Sequence, residues 1–152
     1  FYYKRNWLKE LIQNYDPKLK EVLGHRGHKI KTDENGDIKP YSEWGLNTYD
    51  INPSEKIMLT GVGGILYPVN SLNKEVFNEK VFLNICATND DIWNYFMIRK
   101  NNFVSRVIPG RLRGHIWQGS QKKQLAQINV LKDGNTVLFK NMINQYGNPF
   151  NF

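Results

Sequence analysis

Asn89-Asp90-Asp91-Ile92-Trp93-Asn94-Tyr95-Phe96-Met97-Ile98-Arg99-Lys100, followed by Val104-Ser105-Arg106-Val107-Ile108, decides the fold class. Ile92, Trp93, Phe96 and Met97 recur at the three- and four-residue spacing of a helix with a buried face. Asn89 or Asp90 supplies the side-chain oxygen that accepts an unpaired N–H of the first turn, so the helix runs from Asp90 to Lys100. Val104 to Ile108 then reads as a strand.

Outward from this pair the chain keeps alternating. Asn6 caps a helix in which Leu8, Leu11, Ile12 and Tyr15 follow i, i+3, i+4, i+7, and Asp16-Pro17 ends it, because the residue before Pro leaves the helical region. Glu21 to Lys31 is extended. Asn35-Gly36 is a strand-reversing turn, with Ile38 to Tyr41 as the return strand. Tyr41 to Ser54, with Trp44, Gly45, Asn47, Asp50 and Pro53, is a loop long enough to expect function in it. Ile57 to Tyr67 is apolar with three glycines, and Pro68 stops it. Ser71 or Asn73 starts a short helix through Phe77, and Val81 to Cys86 is a second apolar run. Ser120 opens a helical piece with Leu125 and Ile128. Asn135 opens another with Leu138, Phe139, Met142, Ile143 and Tyr146, stopped by Gly147. Interleaved helices and strands predict an α/β domain over residues 1–152, a mixed sheet with flanking helices.

Composition bounds what this domain can be. Its 152 residues, 40% apolar and 23% charged, suit one soluble core. A single cysteine, Cys86, excludes a disulfide framework and argues against a cysteine metal site; inside its apolar run it reads as buried and inert. No run reaches the ~18 apolar residues of a membrane helix, and no signal-peptide pattern opens the chain. The expected location is cytoplasmic, with the inner face of the membrane as the place of any peripheral association. A net charge of +7 points to an anionic partner: nucleic acid, a diphosphate or an acidic membrane surface. Four Trp and eight Tyr serve either the core or a groove that stacks on flat ligands.

Four segments could carry chemistry. In Ala87-Thr88-Asn89-Asp90-Asp91-Ile92-Trp93 two adjacent carboxylates sit in the favourable field of a helix N-terminus. They are either a cap and a first-turn acid, or they include a general base. Neighbouring helical residues point in different directions, so only one can be that base. Asp90 is the first choice, lying where the chain enters the helix. Asp91 is the second, expected to be held by local backbone or by a basic neighbour such as Arg26.

Thr60-Gly61-Val62-Gly63-Gly64-Ile65-Leu66-Tyr67 is the second segment. Glycines in an apolar strand mark a bulge or a close backbone approach. The Lys-Ser/Thr of a phosphate loop is missing, and the spacing is not that of a dinucleotide fingerprint. In Gly24-His25-Arg26-Gly27-His28-Lys29-Ile30, strand alternation puts Arg26 and His28 on one face and His25 and Gly27 on the other. The two histidines do not converge on one metal, and no metal ligand is expected in the chain. Arg26 is expected near a carboxylate. In Arg106 to His115, the alternating Arg111, Arg113 and His115 either clamp a diphosphate or form a solvated basic loop.

In order and spacing, Tyr3-Lys4-Arg5-Asn6-Trp7-Leu8, His25-Arg26-Gly27-His28, Gly61-Val62-Gly63-Gly64-Ile65-Leu66-Tyr67-Pro68, Ala87-Thr88-Asn89-Asp90-Asp91-Ile92-Trp93, and the tail Gly119-Ser120-Gln121 with Asn135 resemble bacterial glycosyltransferases of the GT-A type, the kind that build surface polysaccharides. The resemblance runs over nearly the whole chain. It implies an incomplete GT-A fold, the acceptor-side part of the enzyme. The nucleotide-binding half and its Asp-rich metal motif would lie upstream of Phe1, so the chain by itself is expected to be inactive. It further implies a nucleotide-sugar donor, a saccharide acceptor, inversion at the anomeric carbon, and a Mg or Mn ion ligated mainly outside this chain. Asp90 or Asp91 would be the base. Gly63 and Gly64 would let the acceptor lie against backbone, with Trp44 and Tyr67 stacking on sugar and Arg26 on the acceptor side. Arg111, Arg113 and His115 would meet the donor diphosphate. Two readings from other classes stand beside this one. A non-catalytic carbohydrate-binding domain would explain the aromatics. A basic nucleic-acid-binding module would explain the charge, but the basic residues are dispersed and no RNA-binding signature is present.

Overall fold

A computed structural model describes residues 3–110 and 133–152. The expectations for Arg111, Arg113 and His115, and for the segment from Ser120 to Ile128, lie outside these residues. The elements are α1 (Trp7–Asn14), β1 (Glu21–Gly24), β2 (Gly27–Lys29), β3 (Ile57–Leu59), β4 (Ile65–Leu66), α2 (Glu79–Ile85), α3 (Asp90–Arg99), β5 (Val104–Val107) and α4 (Gly134–Tyr146). Short 3-10 turns occupy Tyr41–Glu43, Gly61–Gly63, Lys74–Phe77 and Pro149–Asn151. The class is α/β, with small sheets and packed helices.

One sheet has the order β4-β1-β5 and is mixed. β1 runs antiparallel to β4, pairing Leu23 with Leu66 and Gly24 with Ile65. It runs parallel to β5 in a register from Glu21 opposite Val104 to Gly24 opposite Val107. Parallel neighbours need a long crossover, and the chain between β1 and β5 contains α2 and α3. A second, two-stranded antiparallel sheet pairs β2 with β3, His28 facing Met58.

α3 is buried on more than one face: Ile92, Trp93 and every residue from Tyr95 to Arg99 are buried. It packs against α4, β3, and the turns at Lys74–Phe77 and Pro149–Asn151, which leaves little of it for solvent. Arg99 is only 6% exposed, and its guanidinium donates to the carbonyls of Pro149 and Phe103 at 3.0 and 2.7 Å. Buried charge is tolerated when its donors are satisfied in this way. Phe139 of α4 closes the core with ring centroids 5.2 Å from Trp44, 5.6 Å from Tyr95 and 5.0 Å from Phe96. Cys86 is buried, as expected, and burial pushes its thiol up to about 12. Among the described residues no helix is long and apolar enough to cross a membrane.

Several local expectations are corrected. α1 turns its Trp7–Leu11–Tyr15 edge inward, while Leu8 and Ile12 are 50% and 57% exposed. The rotation follows from Trp7, whose ring lies over Gly64. Asn6 does not cap α1 with its side chain; its amide donates to Glu10 instead. The return strand at Ile38–Tyr41 shrinks to one bridge between Thr32 and Ile38, because Pro40 has no N–H to donate and Tyr41 already begins a 3-10 turn. Val81 to Cys86 belongs largely to α2, whose N-cap Asn78 accepts from Val81 N.

The α3 cap is Asn89. Its Oδ1 accepts from Ile92 N at 3.2 Å, and its Nδ2 donates to Asn135 Oδ1 at 2.8 Å. Asn135 is 3% exposed and its side chain also meets Tyr41, so losing Asn89 deprives a buried amide oxygen of its donor. Asn89→Ala is expected to cost about 1–3 kcal/mol, cap and amide together, by urea denaturation. A cost no larger than that of an exposed substitution would show that Asn135 finds another partner.

Candidate functional site

The site forms where the start of α3 meets the glycine segment after β3. Asp91 lies in the first turn of α3, and its Oδ1 accepts from Gly61 N at 2.7 Å. Any side chain on Gly61 would crowd this bond, since a Cβ would sit 3.1 Å from Asp91 Oδ1. Among the described residues the other carboxylate oxygen, Oδ2, has no hydrogen-bond partner. Asp91 is half-buried, whereas Asp90 beside it is exposed.

Burial is the main influence on the Asp91 carboxyl and raises it from 3.8 to about 6. The Gly61 N–H and the Arg26 charge favour the ionised form and oppose the rise, while Asp90 adds to it. Tyr67 shares this environment: burial raises its hydroxyl most, the Asp91 and Asp90 charges raise it further, and the Asn94 amide works the other way. Tyr41 is also raised by burial and feels both Arg26 and Asp91.

A carboxyl that the fold holds above its unfolded value makes folding favour the protonated form. Its contribution to stability is full below pH 3.8 and is lost as pH rises through about 6. Asp91→Asn cannot ionise and its Oδ1 still accepts from Gly61. It is therefore expected to be more stable than wild type at pH 8 by about 1–3 kcal/mol, the gap closing toward pH 4. Melting curves across that range check this; a gap of the same size at both ends would show that Asp91 does not titrate in this window.

Arg26, on the connection between β1 and β2, completes the cluster. Its Nη1 donates to Thr60 Oγ1 at 3.2 Å and its Nε to Asn47 Oδ1 at 2.5 Å. Thr60 and Gly61 are consecutive, so the guanidinium and the Asp91 carboxylate bind neighbouring residues of one segment. Asn47 has a φ of 52°, a left-handed conformation that Asn tolerates better than most residues. Its N–H donates to His28 Nδ1 at 2.9 Å. Burial and the Arg26 charge push His28 down to about 4, so it is neutral at pH 7.

Trp44 is 4% exposed, packs against Tyr41 and Phe139, and donates from Nε1 to Lys39 O. Its ring is part of the core and does not face a ligand, which corrects its assignment to sugar stacking. Gly63 and Gly64 are close-approach glycines, but the approach is internal. A Cβ on Gly63 would come 2.7 Å from Arg26 Cβ, and one on Gly64 would come 2.8 Å from the Trp7 ring. They admit protein rather than an acceptor sugar, correcting that expectation too. His25 is buried, with Nε2 in a hydrogen bond to Trp7 O. Among the described residues no three His, Cys, Asp or Glu side chains gather as metal ligands.

Sequence reading missed Asn47, Asn94 and Tyr41 as members of this neighbourhood. Asn47 and Tyr41 carried a signal, lying in the long loop marked for function; Asn94 carried none. No protein-family model, no curated protein and no solved structure matches this chain.

Proposed function

We propose that this chain is the acceptor-side, base-supplying part of a GT-A type glycosyltransferase, which moves a sugar from a nucleotide-sugar to a saccharide hydroxyl. The observation that carries the reading is the Asp91–Gly61 hydrogen bond, which fixes a half-buried carboxyl of raised proton affinity against the glycine segment. A general base works best when it titrates near the operating pH, and the Asp91 carboxyl, at about 6, does so. Asp91 therefore replaces Asp90 as the first choice. Asp90 is exposed in the same turn and serves as a neighbouring charge.

In this mechanism Asp91 Oδ2 takes the proton of the acceptor hydroxyl as that oxygen bonds to the anomeric carbon. The bond from that carbon to the nucleoside diphosphate breaks on the opposite face, so the configuration inverts, and Asp91 returns its proton to water. A Mg or Mn ion held outside this chain would offset the charge on the departing diphosphate. Arg111, Arg113 and His115 keep their proposed place beside that diphosphate.

The test is an amide NMR titration of the 152-residue chain. Neutral oligosaccharides are expected to move the resonances of Gly61, Asp91 and Tyr67. A nucleotide-sugar with Mg²⁺ is expected to leave them in place, since most of the proposed donor site would belong to the other half of the enzyme. Binding of an oligonucleotide with steep salt dependence, and no response to saccharides, would instead favour a nucleic-acid module.

A further inference from the structure

Arg26 was expected on the acceptor side, but the structure leaves it little freedom to reach a ligand. Its carbonyl accepts from Thr60 N at 3.0 Å. The stem packs against the bare Cα of Gly63, where even a methyl group would collide with it. Its Nε and Nη1 are committed to Asn47 and Thr60. One arginine is thus fixed at backbone, stem and head, across two segments that are distant in sequence.

We propose that Arg26 is a positioning residue for Asp91: its guanidinium, clamped between Asn47 and Thr60, stands as a fixed positive charge over the glycine segment that holds the carboxylate. Arg26 and Asp91 are not joined by an ion pair, so the charge acts through space, and among the described residues no cation contacts Oδ2. The groups facing Asp91 are few in kind. Asp90 on its own helix opposes ionisation, as does burial; Arg26 favours it; Tyr41 and Tyr67 stay neutral at pH 7, and so does His28 behind Arg26. Among the described residues Arg26 is therefore the cation that offsets Asp90 at this site. Without it, a half-buried carboxyl beside a second carboxylate would hold its proton further into the neutral range.

The loop that carries Asn47 is coupled to the same charge. Thr48 N donates to Gly27 O, and Lys29 Nζ pairs with Asp50 Oδ2 at 2.6 Å, so the loop is stitched along the outer edge of β2. Movement of this loop, on acceptor arrival for instance, would pull on the Asn47–Arg26 bond and change the field at Asp91.

This inference deepens the reading of Asp91 as the base, but its main test does not need catalysis. The carboxyl carbon of Asp91 can be followed by ¹³C NMR through a pH titration of the 152-residue chain, in wild type and in Arg26→Met, Arg26→Lys and Asn47→Gly. Arg26→Met keeps the stem and removes the charge, and should raise the Asp91 midpoint by roughly 0.5–1 pH unit, less than a contacting charge would give. Arg26→Lys keeps a cation and should stay nearer to wild type. Asn47→Gly preserves the left-handed backbone and frees the Nε end, and should move the midpoint upward by a smaller step. If Arg26→Met does not fold, the Asn47→Gly midpoint decides. A purely structural Arg26 would lower the melting temperature and leave the midpoint in place in every folded variant, and that result overturns the proposal. In the intact transferase the acid limb of kcat/KM should follow the same shift. If the NMR midpoint moves and the acid limb does not, the role of Arg26 stands and the reading of Asp91 as base falls.

Discussion

In the transferase proposed above, Asp91→Asn is expected to lower sugar transfer ~10²–10⁴-fold, the usual loss when a general base is removed. Asn preserves shape, and its Oδ1 can still accept the Gly61 N–H that holds Asp91 in place. Only the proton acceptor disappears, so donor affinity should change little and the protein should remain folded. In wild type the rate should rise with pH as Asp91 loses its proton and level off above about 6. That limb should be absent from the variant. Asp90→Asn is the comparison: Asp90 is exposed, so its loss should cost under roughly tenfold and, by removing a like charge, shift the wild-type limb slightly down. An inactive, folded Asp90→Asn beside an active Asp91→Asn would transfer the role to Asp90. Activity in both would rule out carboxylate base catalysis at this helix start.

Phe139→Ala should carry the largest stability cost, about 3–5 kcal/mol by urea denaturation. The ring is fully buried and meets Trp44, Tyr95 and Phe96, joining α4 to α3 and to the turn at Tyr41–Glu43. Removing it opens a void among rigid aromatic rings, which collapse poorly onto empty space. Phe139→Leu fills most of that volume and should cost far less. The two variants also separate packing from site geometry. α4 begins with Asn135 bonded to the Asn89 cap, so a loosened α4 should disturb the resonances of Asp90 and Asp91 as well as stability. A cost under about 1 kcal/mol for Phe139→Ala would mean that this core can close over the gap.

The sequence alone determined those features whose causes are local. A cap at Asn89 or Asp90 before α3, a start at Ser71 or Asn73 before the turn through Phe77, and Gly147 after α4 each act on backbone within a few residues, the structure using Asn89 and Asn73. The ends they mark are where the structure has them. The strand at Val104 and the interleaving that makes the class α/β were legible for the same reason. For Asp91 the sequence offers local backbone or a basic neighbour such as Arg26 as the holder; the structure holds it instead by the remote Gly61 N–H, and Arg26 acts on it only through its charge. What needed the tertiary structure were choices made by remote partners. Leu8 and Ile12 have the spacing of a buried face, yet Trp7 against Gly64 turns that face outward. Trp44 is as suitable for stacking on sugar as any ring until Phe139 and Tyr41 enclose it. Gly63 and Gly64 announce a close approach without saying to what, and Arg26 and Trp7 supply the answer. The choice between Asp90 and Asp91 rests on a bond to Gly61, 30 residues away. Periodicity and capping report the backbone's own requirements, but burial and proton affinity depend on what the fold brings alongside, and one chain position carries no record of that.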